Sequence, residues 1–252
     1  MRVKYTMQNT QVIYDCQDEF GKMTVLEDGQ YRLLSFTEGD EQSRISLAKP
    51  NVLQHEYTQA MMLSLLFCTP KRATVLGLGG GCLIRSLLDT VPGIKLNAVE
   101  LRPEVINIAE KFFYLPKSKR LNVFAQDAKK YMAQKQEKKV DLLFTDIYLE
   151  QGMDKAVIAE NFIENCDNQL KSNGWLVINC WEDEDNYTYL IELLRQYFID
   201  IRSVNTNSGN WIIFAGKQLD YQSSKALKQE ALKLSTGLGF QLTKWLNRLT
   251  EV

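Results

Sequence analysis

The sequence predicts an α/β protein: a small antiparallel β unit first, then a larger, mostly parallel sheet covered by helices. Three observations carry this expectation. Short β-like runs separated by polar turns fill residues 10–48. From residue 73, nearly continuous apolar runs alternate with segments of helical period, the pattern of strands buried on both faces of a parallel sheet. Near residues 200–217, two strand-like runs flank an Asn/Ser/Gly turn, so the sheet closes with an antiparallel hairpin.

The elements follow in order. "TQVIYDC", "KMTVLE", "YRLLSF" and "RISLA" read as four strands, with Asp28-Gly29 as a hairpin turn between the second and third. They define a β domain over residues 1–50, small for independent stability. "HEYTQAMMLSLLF" reads as one helix with Tyr57, Met61 and Leu65 on a common face, ended by Pro70. The buried strands are "ATVLGLG", "KLNAVEL", "LNVFAQD", "VDLLFTDIY" and "GWLVINCW". Between them, Pro103 opens a helix whose apolar stripe is Val105, Ile106, Ala109, Phe112 and Phe113. A helix over about 155–170 is stopped by Asn173-Gly174, and one over about 186–198 packs Tyr189, Leu190, Leu193, Leu194 and Tyr197. "DIRSVNTNSGNWIIFAGK" supplies the closing hairpin. Residues 51–220 thus have the layout of a Rossmann-like, class I methyltransferase fold, a mostly parallel seven-stranded sheet with a C-terminal antiparallel hairpin, rather than that of a simple dinucleotide fold. Residues 221–252 read as a helical extension through Ala226, Leu227, Ala231, Leu234, Leu238, Leu242, Trp245, Leu246 and Leu249, packed on this domain or serving an oligomer contact.

Bulk composition narrows the function classes. With 252 residues, 45% hydrophobic and 24% charged, the chain is an ordinary globular protein. A net charge of −1 provides no field to recruit nucleic acid or an anionic membrane. No apolar run is long enough to span a bilayer, and "MRVKYTMQNTQVIYD" lacks a secretory apolar core, so a cytoplasmic protein is expected. Five scattered cysteines without a C-x-x-C pair, and a single histidine, His55, argue against a disulfide framework and against a metal site.

The chemistry concentrates in "ATVLGLGGGCLIRSLL", residues 73–88. Gly77, Gly79, Gly80 and Gly81 form a loop directly after a strand and before a helix, where a bare backbone lets a ligand approach the main chain. Tight packing is the competing reading. Glu100 ends the next strand, 19 residues beyond Gly81, where a carboxylate accepts bonds from both ribose hydroxyls. Nicotinamide cofactors use a similar acid, but their G-x-G-x-x-G fingerprint needs glycine at 82, where Cys82 stands. Asp127 closes the third strand in "FAQDAKKYM", suited to the adenine amino group and equally to a helix N-cap; Ala128 follows it. Together these describe a pocket for an adenosyl sulfonium cofactor. Asp146, at the exit of the fourth strand in "FTDIYLEQGM", faces the same rim, with Tyr148 and Glu150 in its loop. It suits an amine, the cofactor's ammonium group, or a strand-ending turn. Tyr14, Trp181 and Trp211 could line an acceptor pocket, although core packing accounts for them, and His55 reads as structural more readily than as a base.

These segments resemble the spermidine synthase family of aminopropyltransferases. The likeness covers most of the chain: the small β domain, "VLGLGGG", "AVELRPEVINIA", the "QDA" turn, "VDLLFTDIY" and the closing hairpin. The resemblance implies a homodimer that binds S-adenosylmethionine or its decarboxylated form at Gly77, Gly79, Gly80, Gly81, Glu100, Asp127, Ala128 and Asp146. It also implies a small-molecule acceptor, an amine by the family's chemistry, handled by Asp146 and Tyr57. Three family acids are replaced. Gln59 stands in the Y-x-E motif, Cys82 in the G-G-G-D-G-G loop, and Leu149 at the second aspartate of D-S-x-D-P. Aminopropyl transfer is one reading. Methyl transfer from S-adenosylmethionine, which needs less of a base, is a second, and a cofactor-binding homologue without catalysis is a third.

Overall fold

The structure, a computed structural model, describes residues 10–37, 39–149, 152–153, 159–181 and 187–252. Strands β1 (Gln11–Asp18), β2 (Gly21–Glu27), β3 (Tyr31–Ser35) and β4 (Ser43–Ser46) pair antiparallel in sequential order. The β2–β3 turn forms as its residues dictate: Asp28 Oδ1 accepts from the Gln30 and Tyr31 amides at 3.0 and 2.7 Å.

The segment after this sheet departs from expectation. The single helix read over residues 55–67 is two, α1 (Glu56–Met61) and α2 (Ser64–Phe67). The amides of Met62, Leu63, Leu65 and Leu66 each donate to the carbonyl three residues earlier, so the chain tightens where Met61, Met62 and Leu63 are driven into the core together. α2 also stops at Phe67, before Pro70.

The large sheet begins with β5 (Arg72–Leu76), α3 (Cys82–Thr90), β6 (Lys95–Glu100), α4 (Pro103–Phe112), β7 (Leu121–Ala125), α5 (Ala128–Ala133) and β8 (Val140–Thr145). The two-residue strands β9 (Tyr148–Leu149) and β10 (Gly152–Met153) pair with each other. Then come α6 (Glu160–Gln169), β11 (Leu170–Trp181), α7 (Tyr187–Leu194), β12 (Asp200–Asn205), β13 (Asn210–Gly216), α8 (Ser224–Leu238), α9 (Leu242–Leu246) and β14 (Thr250–Glu251). The strand order is β14-β12-β13-β11-β8-β5-β6-β7, with β5, β6, β7, β8 and β11 parallel. The seven expected strands are present. The eighth, β14, comes from the extension expected to be helical: two residues pair with the open edge of β12 and cover its unpaired backbone groups.

Two other boundaries moved. α6 ends at Gln169, and Asn173-Gly174, expected as its stop, lie within β11 where pairing with β8 is interrupted between Leu170 and Trp175. Residues 155–158 of that expected helix lie outside the described residues. α7 ends at Leu194, and Tyr189 faces outward while Ile191 takes its place in the core.

One face of the large sheet is covered by α1, α2, α3, α8 and α9, through residues such as Leu66, Leu87, Leu227 and the fully buried Trp245. The expected packing of the extension against the sheet is therefore observed. The opposite face is covered by α5, α6 and α7 through Tyr131, Ile163 and Leu194. A third core, with Met23, Val25, Leu34 and Ile45 from the small sheet and Val105, Ile108 and Phe113 from the α4 segment, joins the two sheets. Among the described residues, no helix is long and apolar enough to cross a membrane.

Candidate functional site

The chain runs outward from β5 to β6 and β7, then crosses back to lay β8 on the other side of β5. This reversal makes a crevice at the C-terminal ends of β5 and β8, the place where open α/β sheets bind ligands. The expected residues converge there because each ends a strand. Gly77 follows β5, Glu100 ends β6, Asp127 follows β7 and Asp146 follows β8. Backbone bonds extend the sheet into this rim: Gly77 N–H donates to Val99 at 2.9 Å, Gln126 N–H to Glu100 at 2.9 Å and Asp146 N–H to Leu76 at 2.8 Å.

The glycine loop is built by close approach on every side. Gly77 has φ +89°, and a Cβ there would lie 2.1 Å from the Asp146 carbonyl oxygen. The exits of β5 and β8 therefore touch through backbone alone. Cβ atoms on Gly79, Gly80 and Gly81 would meet Ser43 Oγ at 2.7 Å, Phe113 Cδ1 at 2.7 Å and Leu115 Cδ1 at 2.6 Å. The tight-packing reading thus holds at all four glycines in the directions their side chains would take. Ser43, on β4 of the small sheet, also accepts a hydrogen bond from the Gly80 amide at 2.8 Å. Cys82, where the family has an acid, directs its thiol to the Arg44 carbonyl at 3.6 Å.

Glu100 is half-buried. Its Oε2 accepts from the Leu78 amide and its Oε1 from the Arg102 amide, both at 3.0 Å. Burial pushes its pKa above the ordinary carboxylate range, against these amide bonds and the nearby Arg102 charge. With the Gly79 amide also bonding this carboxylate, three of its about four acceptor positions are taken, which leaves capacity for a ribose hydroxyl. Asp127 caps α5: its Oδ1 accepts from Lys129 and Lys130 amides at 2.7 and 3.1 Å. The N-cap reading therefore holds, and Oδ2 takes neither cap bond. Ala128 is the first residue of that helix.

Asp146 is the most constrained acid of the site. Its Oδ1 accepts from Asn179 Nδ2 at 2.8 Å, and the Tyr57 hydroxyl donates to the same carboxylate. Burial raises its pKa; the Asn179 and Tyr57 bonds and the proximity of His55 oppose the shift, and Glu100 adds to it. The structure therefore brings together both residues expected to handle an acceptor, Asp146 and Tyr57. His55 stacks beside Tyr57, with ring centroids 5.5 Å apart, and its Nε2 is 2.7 Å from Glu41 Oε1, the acid that also pairs with Arg44. His55 thus makes a structural contact with Glu41 and also lies near Asp146. Gln59 spends its amide on the Leu53 carbonyl at 2.8 Å.

Of the aromatic candidates, Trp211 pairs with Cys180 near the end of β11 and packs on the core below it. Tyr14 donates to Glu104 Oε1 at 2.8 Å between the small sheet and α4, and Trp181 is exposed rather than packed in the core. Glu150, and the side chains of Tyr148 and Leu149, lie outside the described residues.

Sequence reasoning missed the groups that reach the site from elsewhere in the chain. Arg102, 6% exposed, fixes the turn after Glu100 to the small sheet through two bonds to Asp18, at 2.8 and 3.0 Å, and one to the Gly21 carbonyl at 2.8 Å. Ser43 and Asn179 were likewise invisible. An asparagine in the apolar run "GWLVINCW" was the only available signal.

Residues 54–236 match the family model described as the spermine/spermidine synthase domain. The chain is 31% identical over 238 residues to a polyamine aminopropyltransferase of Neisseria meningitidis, covering 90% of this chain and 88% of that one. It is 29% identical to that of Chromobacterium violaceum, covering 91% and 90%. In fold it is similar to spermidine synthase from Thermotoga maritima, with TM-score 0.70 and 19% identity over 94% of this chain and 83% of that one. It is similar also to human methyltransferase-like protein 13 in complex with SAH, with TM-score 0.63 and 22% identity over 75% and 93%.

Proposed function

Since this chain belongs to the spermine/spermidine synthase family, we propose that it transfers an aminopropyl group from decarboxylated S-adenosylmethionine to a small amine. The observation that carries this reading is the pairing of Asp146 with Tyr57 at the crevice rim, next to the glycine loop and Glu100. When bound, the sulfonium cofactor supplies an activated carbon and leaves as methylthioadenosine.

The chain's own residues account for the rest. Glu100 would hold the ribose through its remaining acceptor position, and Asp127 Oδ2 would take the adenine amino group. An amine is cationic at neutral pH and must lose a proton before it attacks. Asp146 draws the cation to the rim and, with its pKa raised by burial, is matched better to accept that proton than a solvated aspartate. Tyr57 holds the carboxylate in place by donating to it.

A second reading, methyl transfer from S-adenosylmethionine, is favoured by Cys82 and Gln59. Both stand at family acid positions, and both bond to main-chain carbonyls. The loss of two negative charges removes repulsion toward the cofactor's carboxylate tail. Calorimetric titration with S-adenosylmethionine, its decarboxylated form, methylthioadenosine and NAD separates the readings. Incubation with the preferred cofactor and a panel of diamines follows, read by mass spectrometry. Tighter binding of the decarboxylated form and a product heavier by one aminopropyl unit are expected. Preference for S-adenosylmethionine with a methylated product would establish the second reading, and binding of neither would refute both.

A further inference from the structure

The polar contact beneath Asp146 is the first link of a longer chain. Asn179 Nδ2 donates to Asp146 Oδ1 at 2.8 Å, and Asn210 Nδ2 donates to Asn179 Oδ1 at 3.0 Å. Ser208 Oγ donates to Asn210 Oδ1 at 3.0 Å and lies 2.9 Å from Thr206 Oγ1. Asn179, Thr206 and Asn210 are 2%, 5% and 7% exposed, so bulk water does not compete for the Asn179–Asn210 link, while Ser208 at the far end is exposed. The chain starts at the crevice, crosses β11 and β13, and ends in the β12–β13 turn.

Its sense matters more than its length. Each amide gives its N–H toward Asp146 and receives at its oxygen from the turn side. An ionised carboxylate only accepts, so this sense fits a charged Asp146. A proton placed on Oδ1 would meet the Asn179 N–H, so it must sit on Oδ2 unless both amides exchange oxygen for nitrogen. The far end permits that reversal, because the Ser208 and Thr206 hydroxyls rotate. We propose that Asn179 and Asn210 are positioning residues, a two-amide relay that aims the Asp146 carboxylate and couples its proton to the β12–β13 turn. The relevance of the relay to turnover rests on the acceptor-side role proposed for Asp146; the relay itself does not.

Other groups facing Asp146 are Tyr57 on α1, His55 just before that helix with Glu41 behind it, Glu100 from β6 and Cys82 from α3. The Asn210 side chain meets Asn179 and Ser208, and its backbone meets Thr206 and, in the strand ladder, Trp181. A change at Asn210 therefore tests the relay without touching the rim.

The decisive variant is Asn210→Asp, which keeps the volume and removes the donor. Its carboxylate would force Asn179 to turn its N–H₂ toward the β12–β13 turn and its oxygen toward Asp146. The readout is carbon-13 NMR titration of the ligand-free protein with labelled aspartate carboxyls, the Asp146 signal being identified by its loss in Asp146→Asn. The midpoint of Asp146 should rise by about one pH unit or more in Asn210→Asp. The rise should largely disappear when Asn179→Val is added, because the link is then cut. Should Asn179→Val not fold, Asn179→Ala serves the same purpose. An unmoved midpoint in Asn210→Asp would overturn the relay. So would a rise of equal size in both backgrounds, which would mean charge acting through space alone. The titration needs no cofactor. A negative result leaves the proposed transfer standing, and an inert protein in the transfer assay leaves the relay standing.

Discussion

Replacing Gly77 by alanine strikes the site at its tightest point. The added Cβ would start 2.1 Å from the Asp146 carbonyl oxygen, where real contacts stay beyond 3.0 Å. The neighbour is backbone, so it cannot rotate away, and the β8 exit must retreat by about 1 Å. Holding alanine at φ +89° costs about 1–2 kcal/mol. Losing the Asp146 N–H bond to Leu76 costs about 0.5–1.5 kcal/mol more. Together the loss is about 1.5–3.5 kcal/mol, which a domain with about 5–15 kcal/mol of stability survives. The displacement also moves the Asp146 carboxylate off Asn179 and Tyr57. A misplacement of about 1 Å is worth about a hundredfold in turnover. Urea unfolding followed by circular dichroism reads the first quantity, and methylthioadenosine release reads the second. Gly79→Ala is the comparison: it shares the positive φ, but its closest neighbour is the Ser43 hydroxyl, so it should lose the Gly80 amide's acceptor without displacing the β8 exit. If Gly77→Ala lost less than about 1 kcal/mol with wild-type turnover, or if Gly79→Ala were the more damaging to turnover, the backbone contact would not be what sets the site.

Asp146→Asn should abolish transfer yet raise the melting temperature at neutral pH. A carboxyl whose pKa is raised in the fold stabilises the protein below its unfolded value and loses that contribution as pH rises through the folded value. The advantage of the neutral amide should therefore shrink as pH falls from about 8 to about 4 in thermal melts, and a variant less stable than the parent throughout would contradict the burial argument. Ser43→Ala should cost about 1–3 kcal/mol in chemical denaturation by leaving the Gly80 amide without its acceptor. It should weaken cofactor binding in calorimetry as the loop loosens. Arg202 makes two 2.7 Å bonds to Asp200 and sits 3.3 Å from Asp220, with Phe67 and Trp175 rings nearby. Arg202→Met leaves two buried acids facing one another and should cost about 3–5 kcal/mol, most of it recovered when Asp200 and Asp220 are also made asparagine.

What the sequence revealed and what it hid divide along physical lines. The five parallel strands and the closing hairpin were legible because burial on both faces writes apolar runs directly into the chain, as in "VDLLFTDIY" and "GWLVINCW". The crevice acids were legible because a strand's end is visible wherever such a run stops, as at Glu100 and Asp146. Helix 55–67 was misread because its apolar spacing is helical throughout. The break after Met61 is imposed by three residues entering the core at once, which is tertiary information. β14 was invisible, since two residues carry no period and their pairing depends on a free edge about 50 residues earlier in the chain. The partners of the site were hidden for the same reason. Nothing local to Ser43, Arg102, Asn179 or Asn210 states that each will meet a strand end far from it in sequence. The glycines were read as backbone left bare for a ligand, with tight packing as the competing reading. What refuses a side chain there is largely the protein itself.

The stitching of the small sheet to the loop bears on how the chain acquires its shape. The Gly80 amide is closed by Ser43, the Arg85 guanidinium by the Pro50 carbonyl at 2.8 Å, and the Arg102 guanidinium by Asp18. Each of these groups lies in the loops and helix that follow β5 and β6, and each partner is synthesised before it. A chain started at residue 51 would keep every strand of the large sheet and still carry three polar groups stranded along one seam. The first fifty residues thus serve the later ones as a mould retained in the finished protein. Competence to bind should appear only when both parts have closed on each other, late in folding rather than with the first strands.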